Sequence, residues 1–175
     1  MQAMEHNNET MIKQLGQTDF PLAAELIRVS FATVAKDLGL TEENCPKYVG
    51  FVSTAERLQT HETWGWRIYG LYKNEQLVGY VSISKETDGA YEIHNLAVMP
   101  EYRHNGCGKQ LLNFCMAKIT KLGGSKAVIS ITEENSVLKN WYTAFGFVHT
   151  GTKKFEHLPF TSGYMELEVS SWESK

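Results

Sequence analysis

Apolar positions recur along this chain with two periods, about 3.6 residues in some stretches and two in others, and the switches between them mark its elements. Residues 1–10 show almost no apolar rhythm and read as a leader ahead of a single domain over 11–175. Residues 11–15 suit a first short strand. Asp19 with Pro21 is a helix-start signal, and Leu22, Leu26, Val29 and Ala32 follow at helical spacing until Gly39 can end the helix. Thr41 to Asn44 and Pro46 open a helical or irregular stretch that runs through Leu58. Residues 67–72 and 77–83 are strand-like and flank the polar turn 73–76, which is a hairpin pattern. A turn at Asp88-Gly89 begins a further strand over 91–98.

The second half repeats the alternation of strand and helix. A helix burying Leu111, Leu112, Cys115, Met116, Ile119 and Leu122 ends at Gly123-Gly124. The apolar run 127–131, AVISI, reads as a buried central strand. Asn135 caps a short helix that turns Leu138, Trp141, Tyr142 and Phe145 inward and closes at Gly146. Two last strands, 147–155 and 164–169, are joined by a longer loop. The sum is an α/β arrangement around one mixed, mostly antiparallel sheet flanked by helices.

Composition narrows the function classes. The 175 residues, 42% of them hydrophobic, can bury one substantial core. A formal charge of −3 without any Lys/Arg run argues against a nucleic-acid partner. No apolar segment approaches the ~20 residues that span a bilayer, so no membrane partner is expected. The first ten residues lack the apolar centre of a signal peptide. Cys45, Cys107 and Cys115 are odd in number and unclustered, which indicates neither a disulfide frame nor a zinc site. The expectation is a cytoplasmic protein without a metal.

The stretch 96–112, LAVMPEYRHNGCGKQLL, carries the most specific chemistry. A strand stops at Pro100, a turn contains Arg103, Gly106 and Gly108, and a helix begins at once. The first amides of a helix have no intrahelical acceptor, and the helix dipole places positive potential there, so phosphate oxygens are suited to the corner. Arg103 and Lys109 add positive charge beside it. The predicted ligand is a nucleotide-like molecule held by its pyrophosphate; the plain alternative is an ordinary strand–turn–helix corner. A Walker A loop and a Rossmann fingerprint are both absent, because Gln110 and Leu111 stand where those motifs need Ser/Thr and Gly.

The spacing Arg103-x-x-Gly106-x-Gly108 after Leu96-Ala97-Val98-x-Pro100 resembles the acetyl-CoA motif of the GNAT N-acetyltransferase superfamily. The run Glu134-Asn135-Ser136 to Trp141-Tyr142-Thr143-Ala144-Phe145-Gly146-Phe147 is similar to that family's second signature, and residues 92–98 look like its central strand. The resemblance spans residues 90–147. It implies a GNAT-like acyl-CoA N-acyltransferase fold whose splayed strands admit the pantetheine arm of acetyl-CoA. The arm would pair with the backbone of Leu96, Ala97 and Val98. The pyrophosphate would lie on the segment Arg103, His104, Asn105, Gly106, Cys107, Gly108 and Lys109, and Asn135 would both cap its helix and contact pantetheine. A primary amine would attack the thioester directly, with a backbone N–H near Val98 on the carbonyl oxygen and Tyr142 protonating or hydrogen-bonding the leaving thiolate.

Glu92 matches a position that serves some family members as general base, and a plain strand glutamate is the alternative. Strand alternation puts His94 on its side, either sharing that role or as a structural histidine. The aromatic residues Phe31, Tyr48, Phe51, Trp64, Trp66, Tyr69 and Tyr72 fall where the acceptor pocket is usually shaped, most of them as packing. The expected acceptor is a small-molecule amine (an amino acid, polyamine or aminoglycoside-like compound) more than a peptide, and a homodimer is what the family suggests. The rivals are a sensor that binds acyl-CoA without turning it over, and transfer of a longer acyl chain.

Overall fold

Seven strands form one sheet in the computed structural model, which describes residues 9–172. They are β1 (Thr10–Gln14), β2 (Arg67–Lys73), β3 (Gln76–Lys85), β4 (Ala90–Val98), β5 (Lys126–Thr132), β6 (Val148–Lys154) and β7 (Thr161–Glu168). Their order is β1-β2-β3-β4-β5-β7-β6, and every pairing is antiparallel except β4 with β5. The helices are α1 (Phe20–Leu38), α2 (Val49–Val52), α3 (Ala55–Thr63), α4 (Cys107–Lys121) and α5 (Ser136–Phe145). Apart from Glu9 and Thr10, the expected leader lies outside the described residues, and Thr10 already belongs to β1.

The sheet has a helix layer on each face. On one face α1 and α3 enclose Phe20, Ala23, Ile27 and Leu58 with Ile68, Tyr80 and Ala97. On the other, α4 lays Leu111, Leu112, Cys115, Met116 and Ile119 against Ile93, Ala127, Ile129 and Met165, and Tyr142 of α5 joins them.

The first helix forms where expected, but its buried face is turned. Leu22 is 56% and Val29 40% exposed, whereas Phe20, Ala23, Ala24, Leu26, Ile27 and Ser30 are buried. The small residues Ala23, Ala24 and Ser30 let α1 sit close to the sheet, and that fit outweighs the larger apolar area of Leu22 and Val29. β5 also differs from a strand buried on both faces. Ala127, Ile129 and Ile131 are buried under α4, while Ser130 is exposed on the face that α1 and α3 leave uncovered.

Two features of β4 shape everything at its end. It pairs with β5 only at Ala90↔Lys126, Tyr91↔Ala127 and Glu92↔Val128, after which the strands part. It also carries a bulge against β3. Tyr80 faces Ala97 and Ser82 faces His94, which leaves Asn95 and Leu96 together opposite Val81. Asn95 takes φ 52°, a left-handed conformation that asparagine tolerates better than most residues. The extra residue resets the alternation. Ala97 packs under α1, while Leu96 and Val98 turn toward α4.

The face assignment of α1 is open to a direct check by urea unfolding. Leu26→Ala should cost about 2–5 kcal/mol and Leu22→Ala no more than about 0.5 kcal/mol. Equal costs would contradict the observed rotation of the helix.

Candidate active site

The corner between β4 and α4 is built from backbone. A 3-10 turn at Pro100–Tyr102 follows the strand, and the Arg103 N–H closes it on Pro100 O at 3.3 Å. His104 at φ 61° and Gly106 at φ 82° then swing the chain into α4, whose first residue is Cys107. The first hydrogen bond of α4 is donated by Gln110 N–H to Gly106 O at 2.9 Å. Among the described residues, the amides of His104, Asn105, Gly106, Cys107, Gly108 and Lys109 donate to no protein acceptor. A run of unpaired N–H groups at the positive end of a 15-residue helix is an anion site in its own right. His104, Asn105, Gly106 and Lys109 are exposed, so the site is open.

The two glycines have different tasks. A Cβ on Gly106 would meet nothing within 4 Å, so glycine is there for its positive φ and not for clearance. A Cβ on Gly108 would come within 3.1 Å of the Trp141 ring. Gly108 therefore lets α5 lie against the first turn of α4.

The side chain of Arg103 is engaged within the protein. Its Nε donates to Val98 O at 3.1 Å, one terminal nitrogen to Thr33 Oγ1 at 3.0 Å and the other to Ser30 O at 2.8 Å. A planar guanidinium with its donors forked in fixed directions suits three acceptors on two elements. The side chain thus ties the end of β4 to α1, and its amide is taken by Pro100. The segment of unpaired amides begins at His104 and ends at Lys109, whose side chain is an exposed cation.

The bonds around Val98 also fix the direction of the strand edge. Met99 N–H donates to Val78 O at 2.9 Å, toward β3. Successive residues of an extended strand point their backbone groups to opposite edges, so the N–H of Val98 faces the edge that β5 has left.

On the α3 side, Glu92 and His94 share a face as alternation requires, with Nδ1 of His94 3.6 Å from Oε1 of Glu92. Trp66 stacks on the His94 ring at 3.8 Å with 10° between planes, and His61 of α3 stacks behind Trp66 at 4.1 Å. Burial, with a smaller contribution from His61, pushes His94 down to about 4, so its imidazole is neutral at pH 7. Burial raises the Glu92 carboxyl above its ordinary value, aided by Glu86 and opposed by a hydrogen bond from Ser130 at 3.4 Å. The ring that faces Glu92 is therefore neutral, and at 3.6 Å it lies beyond hydrogen-bond distance of the carboxyl. Glu92 also lines a shallow cavity of about 210 Å³ with Ser130, Thr150, Tyr164 and Glu166, on the uncovered face of β5 and β7.

Asn135 caps α5, its Oδ1 accepting from Leu138 N–H at 3.1 Å. It borders a second cavity of about 230 Å³ between α1 (Val34, Asp37, Leu38) and the start of α5. Tyr142 is buried, edge-on to Trp141 at 4.9 Å and to Phe147 at 5.5 Å. Burial, and secondarily the Cys115 thiol, push its phenol above the usual range. Tyr142 packs on the α4 face of the sheet and Glu92 lies on the other, at the last pair before β4 and β5 part. Cys107 is buried in the first turn of α4.

Of the aromatic set, Trp66 alone packs on a candidate catalytic side chain. Phe31, Tyr48 and Phe51 form an edge-to-face cluster, Tyr69 packs on Phe114, and Trp64 is 68% exposed. Sequence reasoning missed Ser84, Glu86, Ser130 and His61. Ser84 lies directly opposite Glu92 in the β3–β4 register and Glu86 closes the same turn, so counting outward from Asp88-Gly89 would have found both. Ser130 and His61 come from distant elements and left no local signal.

The profile of the Acetyltransferase (GNAT) family matches residues 37–147, and this chain belongs to that family. Among solved structures, it resembles the PaiA N-acetyltransferase of Thermoplasma acidophilum in complex with coenzyme A (21% identity, TM-score 0.79, covering 91% of this chain and 99% of that one). The ribosomal-protein-S18-alanine N-acetyltransferase of Escherichia coli aligns at 16% identity and TM-score 0.74 over 95% of this chain and 98% of its own. YncA of Salmonella typhimurium, a protein with acetyl-CoA bound, aligns at 16% identity and TM-score 0.66 over 96% and 99%. At these identities the likeness is one of fold. No curated protein matches the sequence. Among the described residues, no helix is long and apolar enough to cross a membrane.

The Arg103 clamp makes a separable prediction. Arg103→Ala should lower stability by about 1.5–3 kcal/mol, the range for hydrogen bonds from a charged group, and leave coenzyme A affinity within about threefold. A variant with normal stability and much weaker coenzyme A binding would return the guanidinium to the phosphate site.

Proposed function

We propose that this chain transfers the acetyl group of acetyl-CoA to a primary amine of a small molecule, by direct attack while both substrates are bound. The observation that carries the reading is the run of six unpaired amides from His104 to Lys109, one turn beyond a strand edge that is open at Val98. Such a pair of features suits a ligand with a diphosphate at one end and an amide-bearing chain that can add to a strand. Membership of the acetyltransferase family and the coenzyme A complexes of proteins with this fold support the same choice of substrate.

Each residue then has a defined task. The cradle from His104 to Lys109 holds the diphosphate. The open edge at Leu96, Ala97 and Val98 aligns the pantetheine arm, with Asn135 beside it. The Val98 N–H donates to the thioester oxygen as negative charge gathers there. An amine enters from the cavity beside Glu92, whose raised carboxyl accepts a proton from the alkylammonium so that nitrogen can attack. Tyr142 donates a hydrogen bond to the departing sulfur. Full proton transfer from it is uphill, because a thiol near 8.5 is more acidic than a phenol held above about 10. The cavity beside Glu92 is small, which suits a compact amine; Glu166 also lines it, but its charge is paired with Lys126 at 2.9 Å, so Glu92 is the carboxylate that faces the amine.

Release of free thiol from acetyl-CoA, followed across a panel of amines, tests the reading. Turnover should depend on the amine, and Tyr142→Phe should lower kcat about ten- to a thousand-fold with acetyl-CoA affinity unchanged. Tight coenzyme A binding without amine-dependent thiol release would make the chain a sensor.

The pH profile has a definite sign. Glu92 accepts a proton only when ionised, so kcat/KM falls as pH drops through its pKa, which lies above the ordinary carboxylate value. Glu92→Gln should lower kcat about 10²–10⁴-fold and remove that acid limb. An unchanged profile in this variant would assign the base elsewhere.

A further inference from the structure

We propose that His94 is a second acceptor-binding residue: its Nδ1 and Oε1 of Glu92 together grip the ammonium group of the incoming amine. This rests on the acyl-transfer reading above and adds the means by which the attacking nitrogen is held.

The tautomer of His94 follows from its neighbours. Its Nε2 lies 2.7 Å from Ser84 Oγ, which lies 2.9 Å from Glu86 Oε1. The Glu86 carboxylate only accepts, so the single hydroxyl proton of Ser84 is donated to it. The Ser84 oxygen then accepts from Nε2–H, and in a neutral ring this leaves a lone pair on Nδ1. Trp66, stacked on the ring at 3.8 Å with 10° between planes, fixes the direction of that lone pair.

Nδ1 faces another acceptor. Glu92 Oε1 is 3.6 Å away, beyond hydrogen-bond distance, and neither atom carries a proton to offer the other. Two acceptors this close repel unless one donor group serves both. A nitrogen about 2.9 Å from each sees them roughly 77° apart, so N–H bonds set at about 109° reach both with bends of only roughly 16°. The side chains of His94 and Glu92 remain 15% and 28% exposed. Nδ1 is not one of the buried atoms left without a partner, so a ligand reaches the pair.

An alkylammonium fits this pair best. It brings at least two N–H donors and a positive charge that matches Glu92. An alcohol of the same shape has one O–H and leaves one acceptor unmet. His94 lies two residues beyond Glu92 on β4, toward the open edge at 96–98, so the shared nitrogen sits on the side of the carboxylate nearer the thioester. As one N–H breaks and an O–H forms on Glu92, the bond to Nδ1 persists and holds the nitrogen in place while its lone pair is freed. The ligand atoms of Glu86, Glu92 and His94 also fall within 4.8 Å of one another, a spacing open to a metal ion. Ser84 engages Glu86, however, and leaves two free ligands where zinc takes three or four.

Two measurements on the full chain test the grip. Nitrogen-15 NMR of the histidines at pH 7 needs no turnover. His94 should be the neutral Nε2–H tautomer, and n-butylammonium should move its Nδ1 resonance saturably while butan-1-ol does not. A wild-type Nδ1–H tautomer, an imidazolium, or an equal response to the two probes would overturn the proposal. So would saturation by zinc with no response to n-butylammonium, which would make the cluster a metal site. The second measurement is thiol release from acetyl-CoA with n-butylamine, spermidine and lysine as acceptors. His94→Phe keeps a ring on Trp66 but removes Nδ1, and should raise the amine KM about 10–100-fold with the acetyl-CoA KM unchanged. Ser84→Ala, which frees the tautomer, should raise the amine KM about fivefold, and Ser84→Thr should restore it. An unchanged amine KM in His94→Phe would overturn the grip and leave acyl transfer standing. Absence of wild-type turnover with all three amines would refute acyl transfer to them, and the NMR titration would then decide the grip alone.

Discussion

The early parting of β4 from β5 is the constraint on which the rest of the molecule depends. The two strands share three residue pairs and then separate, although both continue for several residues. A backbone edge deprived of its partner is costly unless something else satisfies it. One of its carbonyls, Val98 O, is met by Arg103, and the Val98 N–H faces the same vacated edge. The bulge at Asn95 and Leu96 makes this arrangement workable. It bends β4 and resets its alternation, so Glu92 and His94 face α3 while Leu96 and Val98 face α4. On the proposed reading, chemistry for the amine falls on one face of the sheet and the grip on the acyl donor on the other.

Rigidity at the corner comes from Arg103. Its three hydrogen bonds join the end of β4 to α1 and set the turn from which α4 departs. A single side chain therefore sets the spacing between the open strand edge and the row of free amides. Trp141, seated on Gly108, adds α5 to the same unit and brings the helix bearing Asn135 and Tyr142 into register with the cradle. The row of free amides is consequently held between two helices and the sheet, three of its donors in the turn and three in the first turn of α4.

Much of this was legible in the sequence, and the omissions have physical causes. Strand–turn–helix at 96–112 was readable because proline, glycine spacing and helical periodicity are local signals. Asn135 and Tyr142 were readable for the same reason, being seven residues apart on one short helix. The fate of Arg103 was not, because its partners Ser30 and Thr33 are some seventy positions away and a carbonyl acceptor leaves no mark in a sequence. The buried face of α1 was misread because close approach favours Ala23, Ala24 and Ser30 over larger apolar residues. The bulge was hidden too. Nothing in the sequence around Asn95 announces an extra residue, since its left-handed conformation is imposed by pairing with β3. Ser84 and Glu86 were accessible through hairpin register alone, and Ser130 and His61 only through the tertiary fold.

The central claim is that backbone amides at the start of α4 hold the diphosphate of an acyl-CoA. Its most direct test is a titration of nitrogen-15-labelled protein with coenzyme A, reading the amide resonances one by one. The account predicts that His104 to Lys109 shift together and saturably, joined by the amide of Val98, while Arg103 side-chain resonances stay in place. Saturable shifts confined to other parts of the molecule, or no shifts at millimolar coenzyme A, would contradict it.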